Sequence, residues 1–232
     1  MEIELKNITK RFSDIVVIDN FSLKLSANGT VCIFGPSGCG KTTLVNILAG
    51  ILKPDSGEII GIDDRTNVSF VFQDDRLIPW ITVKENIKSV IKSKDSNMVA
   101  DDILESVGLK EFAYKNPDEL SGGMRRKVSI ARALVYDSDI LILDEPLKGL
   151  DSNSKDNMMD LIMKKRENKP NILITHSINE ALALSDKIYV FSNLPLNLKG
   201  YLEINLSYEK KLGNKKFLEE YREKLIDIIN TL

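Results

Sequence analysis

The sequence GPSGCGKT, residues 35–42, fits the phosphate-loop pattern G-x-x-x-x-G-K-[ST]. Glycines let the backbone approach a polyphosphate closely, so that successive N–H groups point at its oxygens. In this pattern Lys41 reaches the β- and γ-phosphates, and the hydroxyl of Thr42 is a ligand for Mg²⁺. The residues expected to contact a nucleotide here are Gly35, Pro36, Ser37, Gly38, Cys39, Gly40, Lys41, Thr42 and Thr43.

The segments on both sides of the loop support a phosphate site. Residues 30–34 predict a buried strand that leads into the loop, and residues 43–50 predict a helix that leaves it. The positive N-terminus of that helix would face the phosphates. A glycine-rich strand-to-helix turn without a ligand is the alternative, but both flanks match the phosphate-binding arrangement. We therefore predict that the chain binds a nucleoside triphosphate.

Length and composition limit the class of protein. The 232 residues suffice for one α/β domain with an insertion, and the 43% hydrophobic and 28% charged residues are typical of a soluble globular protein. A net charge of −2 gives no electrostatic case for nucleic acid as the main partner. Apolar runs fall far short of the roughly 20 residues of a membrane span, and the N-terminus does not resemble a signal peptide, so we expect a cytoplasmic protein.

The two cysteines, Cys32 and Cys39, offer neither a disulfide framework nor a metal cluster. Cys39, in the electropositive loop, is either a small filler residue or an oxidation-sensitive thiol.

Strands and helices alternate along the chain. Residues 2–27 alternate apolar and polar side chains and predict antiparallel strands. Further strands are predicted at 58–60, 68–72, 140–143, 172–174 and 187–191, and helices over 82–117 (with polar breaks), 121–135, 154–167 and 178–184. This alternation indicates a parallel sheet covered by helices on both faces. Apolar residues from Phe217 to Leu232 have helical spacing, and that helix is expected to pack on its own domain or, alternatively, to contact a regulator or subunit.

A second motif, Leu120-Ser121-Gly122-Gly123, opens a helical run that continues to Leu134. Ser121 is a good N-cap, and the two glycines let backbone N–H groups face an anion at the helix start. Because the chain already has one phosphate loop, a second anion site most naturally serves a nucleotide held by another copy of the protein. With the phosphate loop, this run resembles the signature sequence of ATP-binding cassette (ABC) ATPases.

The resemblance covers residues 2 to about 195. It implies an α/β fold of the P-loop NTPase type, with a RecA-like parallel-sheet core, an N-terminal antiparallel β subdomain and an inserted helical subdomain. Residues 1–75 and 136–206 would form the nucleotide-binding core with the β subdomain. Residues 76–135 would form the helical subdomain that carries the signature, and residues 207–232 a C-terminal helix.

The resemblance also implies roles for single residues. The stretch ILILDE, residues 140–145, is similar to the Walker B strand, so that Asp144 would hold Mg²⁺ and Glu145 would be the general base. Gln73 matches the Q-loop glutamine, which senses Mg²⁺ and the γ-phosphate. His176, the only histidine in the chain, matches the switch histidine. Asp151 matches the D-loop aspartate that contacts the opposing subunit.

Three positions depart from, or vary, the family pattern. Phe12 lies where the family has an aromatic ring, usually tyrosine, that stacks on adenine; a core aromatic on an N-terminal strand is the alternative. Met124 replaces the glutamine that commonly follows the signature, and the connection at residues 61–66 is shorter than typical. Since the Met124 side chain is not needed for the backbone anion site, we do not expect this replacement to abolish activity.

Residues 74–86, DDRLIPWITVKEN, resemble importer ATPases for nitrate, sulfonates, taurine and related small solutes. The resemblance implies a groove for the coupling helix of a separate membrane permease, with Pro79 and Trp80 as its apolar contact; alternatively, Trp80 anchors the helical subdomain to its own core. The implied ligands are ATP and Mg²⁺. The implied partners are a second copy of the chain, the permease and, indirectly, a solute-binding protein, at the inner face of the cell membrane. An exporter or lipoprotein-release motor, or a cassette ATPase unconnected with transport, is the alternative.

Overall fold

The computed structural model describes residues 2–26, 29–166 and 169–230. The strands in these ranges are β1 (Glu2–Phe12), β2 (Ile15–Ser26), β3 (Thr30–Phe34), β4 (Ser56–Ile60), β5 (Val68–Val71), β6 (Ile140–Asp144), β7 (Asn171–Thr175), β8 (Lys187–Phe191) and β9 (Leu198–Glu203). The helices are α1 (Lys41–Leu48), α2 (Val83–Lys88), α3 (Ser96–Ser106), α4 (Gly122–Val135), α5 (Ser152–Lys165), α6 (Ile178–Leu184), α7 (Tyr208–Lys211) and α8 (Lys215–Asn230). Short 3-10 helices span Lys110–Phe112 and Pro117–Glu119.

The strands form a large and a small sheet. The large sheet has the order β5-β6-β7-β3-β8-β9, in which neighbouring strands are parallel except for β9, which runs antiparallel to β8. The small sheet is antiparallel, in the order β2-β1-β4. The predicted α/β class is therefore confirmed. The strands predicted at 58–60 and 68–72 both form, but β4 joins the small sheet whereas β5 joins the large one.

Two hydrophobic cores lie on opposite faces of the large sheet. Successive side chains of β6 alternate between them, as the two-residue period of a strand requires: Ile140 and Ile142 belong to one core, Leu141 and Leu143 to the other. The first core includes α1 and the small sheet, and the second includes α2 to α6 and α8. Since both faces are covered, every residue of β3, β6 and β7 is buried.

The predicted helical stretch 82–117 begins and ends at a capping box and is broken between the two boxes. Thr82 and Glu85 form a capping box in which each side chain accepts a hydrogen bond from the other residue's backbone N–H. Asn116 and Glu119 form a second box around Pro117. Between the boxes, α2 ends before α3 begins, and Gly108, with a φ of +70°, follows α3, so that short helices replace a continuous one.

The C-terminal segment contains two helices where the sequence predicts one. Gly213, with a φ of +68°, lies in the turn between α7 and α8. Phe217 and Leu225 are buried, and α8 packs against α6 and β9, as expected for a helix that packs on its own domain. The predicted ends of three elements, at residues 27, 167 and 232, lie outside the described residues. Among the described residues, none of the helices combines the length and the apolar character that a membrane crossing needs.

Lys211, at the end of α7, is a buried cation with 3% of its surface exposed. Its Nζ donates a hydrogen bond to the carbonyl oxygen of Ser185 at 2.6 Å. Burial lowers the pKa of Lys211 from 10.5 to about 8, although the charge of Asp186 acts in the opposite direction. The folded chain therefore loses this proton at a lower pH than the unfolded chain does.

Replacing Lys211 by methionine should remove a pH dependence of stability. Between about pH 8 and the unfolded-state value of 10.5, the unfolded chain binds a proton that the folded chain lacks, so stability rises with pH. From about pH 8 to pH 10, wild type should gain about 2 kcal/mol in free energy of unfolding relative to Lys211→Met. Urea denaturation across this range measures the gain, with the exposed neighbour Lys210→Met as the control. Parallel pH profiles for wild type and Lys211→Met would contradict the prediction.

Candidate functional site

The phosphate loop begins at the carboxyl end of β3 and runs into α1. Gly40, immediately before α1, has a φ of +103°, and a Cβ there would approach Cγ1 of Val17 to 2.9 Å. A Cβ on Gly35 would lie 2.9 Å from the carbonyl oxygen of Phe191. Backbone conformation at Gly40 and close packing at Gly35 therefore both require glycine.

The side chain of Lys41 is buried within the loop. Its Nζ donates hydrogen bonds to the carbonyl oxygens of Gly35 at 2.8 Å and Pro36 at 2.7 Å. Cys39 is also buried, which supports its interpretation as a small filler rather than an oxidation-sensitive thiol. The exposed residues of the loop are Pro36, Ser37, Gly38 and Thr42.

Oxygen ligands from the loop and from β6 lie side by side. The Thr42 hydroxyl donates to Oδ2 of Asp144 at 2.9 Å. Asp144 is buried at the end of β6, and desolvation raises the pKa of its carboxyl group, while the hydrogen bond from Thr42 lowers it. Hydroxyl and carboxylate oxygens are the ligands that Mg²⁺ prefers, so this pair fits the predicted metal site. Within the described ranges no three His, Cys, Asp or Glu residues cluster as a metal site, so nucleotide or water oxygens would complete the coordination.

Glu145 and His176 meet at the ends of neighbouring strands. Glu145 has a φ of +50°, a conformation that non-glycine residues rarely adopt, and its N–H donates to the carbonyl oxygen of Ile174 at 2.9 Å. Its Oε1 lies 2.8 Å from Nδ1 of His176. The carboxylate is therefore held beside Asp144, with the exposed histidine as its partner.

Gln73 lies at the same edge of the sheet as Glu145. Val71 pairs with Leu143 in register, so Gln73 and Glu145 each lie two residues beyond this pair. Gln73 is exposed, and its carbonyl oxygen accepts a hydrogen bond from Arg126 at 3.2 Å. The structure thus brings Gln73, Glu145 and the phosphate loop to one edge of the sheet.

Phe12 lies at the end of β1, and 46% of its surface is exposed. The alternative that its ring belongs to the core is therefore wrong. Ile15 and Val17 continue the chain into β2, where the carbonyl oxygen of Val17 accepts a hydrogen bond from the N–H of Leu196 and Val17 packs against Gly40. Phe12 is thus an exposed ring on the hairpin that borders the phosphate loop.

The signature residues lie elsewhere. Ser121 is the N-cap of α4, and its Oγ accepts a hydrogen bond from the N–H of Met124 at 3.2 Å. A Cβ on Gly123 would lie 3.6 Å from the side chain of Leu150, in the segment that leads to Asp151. Ser121 and Gly122 are exposed. The Oγ of Ser121 thus bonds within its own helix, while Gly123 lies near the segment at Leu150.

Asp151 is the N-cap of α5. Its Oδ1 accepts a hydrogen bond from the N–H of Ser154 at 2.9 Å, and hydrogen bonds from the side chain and backbone of Ser154 lower the pKa of Asp151. Asp151 is exposed and directly follows Leu150, the residue that lies near Gly123.

A groove of about 520 Å³ connects Gln73 to the exposed end of the helical insertion. It is lined by Gln73, Asp74, Asp75, Arg76, Leu77, Pro79, Pro117, Asp118 and Arg125. Beside it, 81% of the Trp80 surface is exposed, so the alternative that Trp80 anchors the subdomain core is wrong. The guanidinium carbon of Arg76 lies 3.7 Å from the centroid of the Phe72 ring, which holds one wall of the groove.

Sequence reasoning missed Arg126. Its guanidinium is buried between the segments that follow β5 and β6. The available signal was its helical spacing with Ile130 and Leu134, which places a charged residue on the apolar face of α4.

Comparisons with known proteins identify the family of the chain. The family model described as ABC transporter matches residues 18–148. The chain is 36% identical over 240 residues to the aliphatic sulfonates import ATP-binding protein SsuB of Bacillus thuringiensis subsp. konkukian (strain 97-27), with 97% of this chain and 95% of that protein covered. It is 38% identical over 210 residues to the taurine import ATP-binding protein TauB of Roseobacter denitrificans (strain ATCC 33942 / OCh 114), with 83% and 78% covered.

A solved structure also resembles the chain. A dimeric post-hydrolysis state of the ATP-binding cassette MJ0796, bound to ADP and Pi, matches with a TM-score of 0.76 at 29% identity. The match covers 88% of this chain and 100% of that one.

Proposed function

The chain belongs to the ABC transporter family as an ATP-binding cassette ATPase, and we propose that it is the motor subunit of a membrane importer. The observation that carries the importer proposal is the groove from Pro79 to Gln73, with Trp80 exposed beside it. A partner seated in this groove would contact the same loop that borders the nucleotide site. Relatives that align over most of the chain are named as import ATP-binding proteins, which supports the proposal.

We assign nucleotide binding to the phosphate loop and Phe12. The exposed Phe12 ring offers an apolar face for adenine to stack on. Loop N–H groups and the start of α1 favour the phosphates, and Lys41 would exchange its two carbonyl partners for phosphate oxygens. Thr42 and Asp144, with Gln73 nearby, would hold Mg²⁺, which supplies charge neutralisation for the phosphates.

We assign the chemistry to Glu145 and His176. Glu145 accepts a proton from the attacking water, whose oxygen bonds to the γ-phosphorus while the bond to the ADP oxygen breaks. His176 holds Oε1 of Glu145 at 2.8 Å and, as an exposed side chain, is free to contact the γ-phosphate. Lys41 stabilises the negative charge that the phosphate oxygens carry.

We further propose that a second copy of the chain completes each site. The signature residues Ser121, Gly122 and Gly123 lie at the N-terminus of α4, where Ser121 and Gly122 are exposed. A helix N-terminus favours an anion, and a nucleotide held by another copy could supply its phosphate there. Two copies in a two-fold arrangement would place each signature, with Asp151 beside it, against the other copy's phosphate loop. The dimeric state of the solved cassette supports this arrangement.

The proposed setting follows from the relatives. These relatives are named for the import of aliphatic sulfonates and of taurine, so we propose a sulfonate, taurine, nitrate or similar small solute as the cargo. The chain would act at the inner face of the cell membrane, bound to a permease that receives the solute from a binding protein. Solute choice lies in those other chains.

Glu145→Gln should bind ATP with an affinity within about threefold of wild type, but lose about 10²–10⁴ in turnover, because an amide cannot accept the proton of the attacking water. It should also accumulate as an ATP-bound dimer. Phosphate release and size-exclusion chromatography with ATP measure these effects, with exposed Glu203→Gln as the control. Steady-state hydrolysis at the wild-type rate in Glu145→Gln would exclude Glu145 as the base.

Mixing Lys41→Ala with Ser121→Arg should restore activity that each variant lacks alone. A heterodimer has one site with both lesions and one intact site, so an equal mixture should recover up to about one quarter of wild-type hydrolysis. Fluorescence energy transfer between labelled subunits verifies exchange. If mixing restores no activity despite exchange, linked dimers with both lesions in one subunit are tested beside it. If both are inactive, the premise that one intact site turns over alone is contradicted. Full activity of Ser121→Arg alone would exclude the shared site.

Trp80→Ala should weaken the complex with the permease, since a central exposed tryptophan contributes about 2 kcal/mol or more when it is buried by a partner. Co-purification of the permease from native membranes should fall about tenfold or more, while nucleotide binding stays within about twofold of wild type. Tyr201→Ala, which removes an exposed aromatic on β9, is the matched control. Unchanged co-purification with Trp80→Ala would exclude this surface as the docking site.

A further inference from the structure

Arg126 forms a buried link between the two loops that carry Gln73 and Glu145. Only 3% of its surface is exposed, on the inner face of α4. Its guanidinium donates to the carbonyl oxygens of Phe72 at 2.5 Å, Gln73 at 3.2 Å, Asp144 at 3.0 Å, Glu145 at 2.5 Å and Pro146 at 2.8 Å.

These carbonyls lie where the parallel pairing of β5 with β6 ends. The last register pair is Val71 with Leu143; β5 ends there, and β6 ends one residue later, at Asp144. A guanidinium offers N–H donors in a rigid plane, so one side chain can satisfy main-chain acceptors on both of the segments that follow. Arg126 therefore continues the connection between the two strands past the end of the sheet.

The positive charge of Arg126 has a carboxylate partner. Oδ1 of Asp75 lies 3.5 Å from Nη1, and Asp75 belongs to the segment that continues from Gln73 into the groove. Two main-chain segments and one acidic side chain thus converge on a single cation. Because an unpaired buried charge is costly, moving one of these partners disturbs the others.

We propose that Arg126 is a positioning residue that joins the signature helix to the main chain of Gln73 and Glu145. The inference rests on the proposed role of Glu145 as the base. Arg126 follows Ser121 on the same helix by five residues, about 7.5 Å along the axis. A shift of α4 when Ser121 meets the other copy's nucleotide is thereby transmitted to the hydrolytic groups of its own site.

Arg126→Met keeps an unbranched apolar stem but removes the guanidinium and all of its donors. Because a displacement of about 1 Å in a reacting group can cost about 100-fold in rate, we expect kcat to fall about 10- to 100-fold. The phosphate loop and Phe12 are untouched, so the dissociation constant for ATP should stay within about threefold. Arg126→Lys, whose ammonium can donate to some of the same carbonyls, should recover part of the lost kcat.

Arg166→Met is the matched control. Arg166, on the turn after α5, is another buried arginine that donates to carbonyl oxygens, those of Ser138 at 3.0 Å and Pro170 at 3.1 Å, away from the nucleotide site. Its replacement should lower the melting temperature but leave kcat of the folded protein unchanged. A loss of kcat specific to Arg126→Met therefore reports position in the site rather than stability alone.

A double substitution tests whether Arg126 acts through Glu145. On a Glu145→Gln background, adding Arg126→Met should reduce single-turnover hydrolysis by less than about twofold, because the group that it positions is already inactive. The inference would be overturned if the loss in the double variant equalled the product of the two single losses. Wild-type kcat in folded Arg126→Met, beside an inactive Glu145→Gln, would also overturn it. Wild-type turnover in Glu145→Gln would instead overturn the assignment of the base. Should Arg126→Met not fold, Arg126→Gln takes its place, with the same expectations and a smaller loss.

Discussion

The parallel pairing of β5, β6, β7 and β3 is the constraint on which the site depends. Register pairs join Val71 to Leu143, Asp144 to Ile174 and Phe34 to Thr175, so the ends of the four strands lie within two register positions of one another. The residues that follow these strands must then emerge at one edge of the sheet. This register therefore brings together residues from distant parts of the chain: Gln73, Glu145, His176 and the phosphate loop.

Two cores hold this edge in conformations that an isolated loop would not keep. Glu145 has a positive φ, and Gly40 lies against Val17 in a left-handed conformation. Glu145 follows β6, which is buried on both faces, and Gly40 precedes α1, which packs in one core, so the surrounding packing determines the backbone at both residues. Such local strain places the Glu145 carboxylate within 2.8 Å of His176 and beside Asp144.

The helical insertion meets the sheet through charge as well as apolar contact. Arg126 joins α4 to the loops after β5 and β6, and Arg132 donates to the carbonyl oxygen of Arg76 at 2.9 Å. The same loop lines the groove beside Trp80. Hydrogen bonds therefore connect the signature helix to the groove and to the loops that carry Gln73 and Glu145, as the proposed coupling between two copies and a membrane partner requires.

The sequence by itself determined the elements whose signals are local. The phosphate loop, the cap at Ser121, the buried strands that the structure shows as β3, β6 and β7, and the helix at α6 all follow from short patterns of glycines, capping residues and apolar spacing. Only tertiary structure decided that β9 pairs antiparallel with β8, that Phe12 and Trp80 are exposed, and that Arg126 has carbonyl partners on two loops. Those features depend on which distant segments meet, and side-chain spacing along one helix or strand carries no information about its partners.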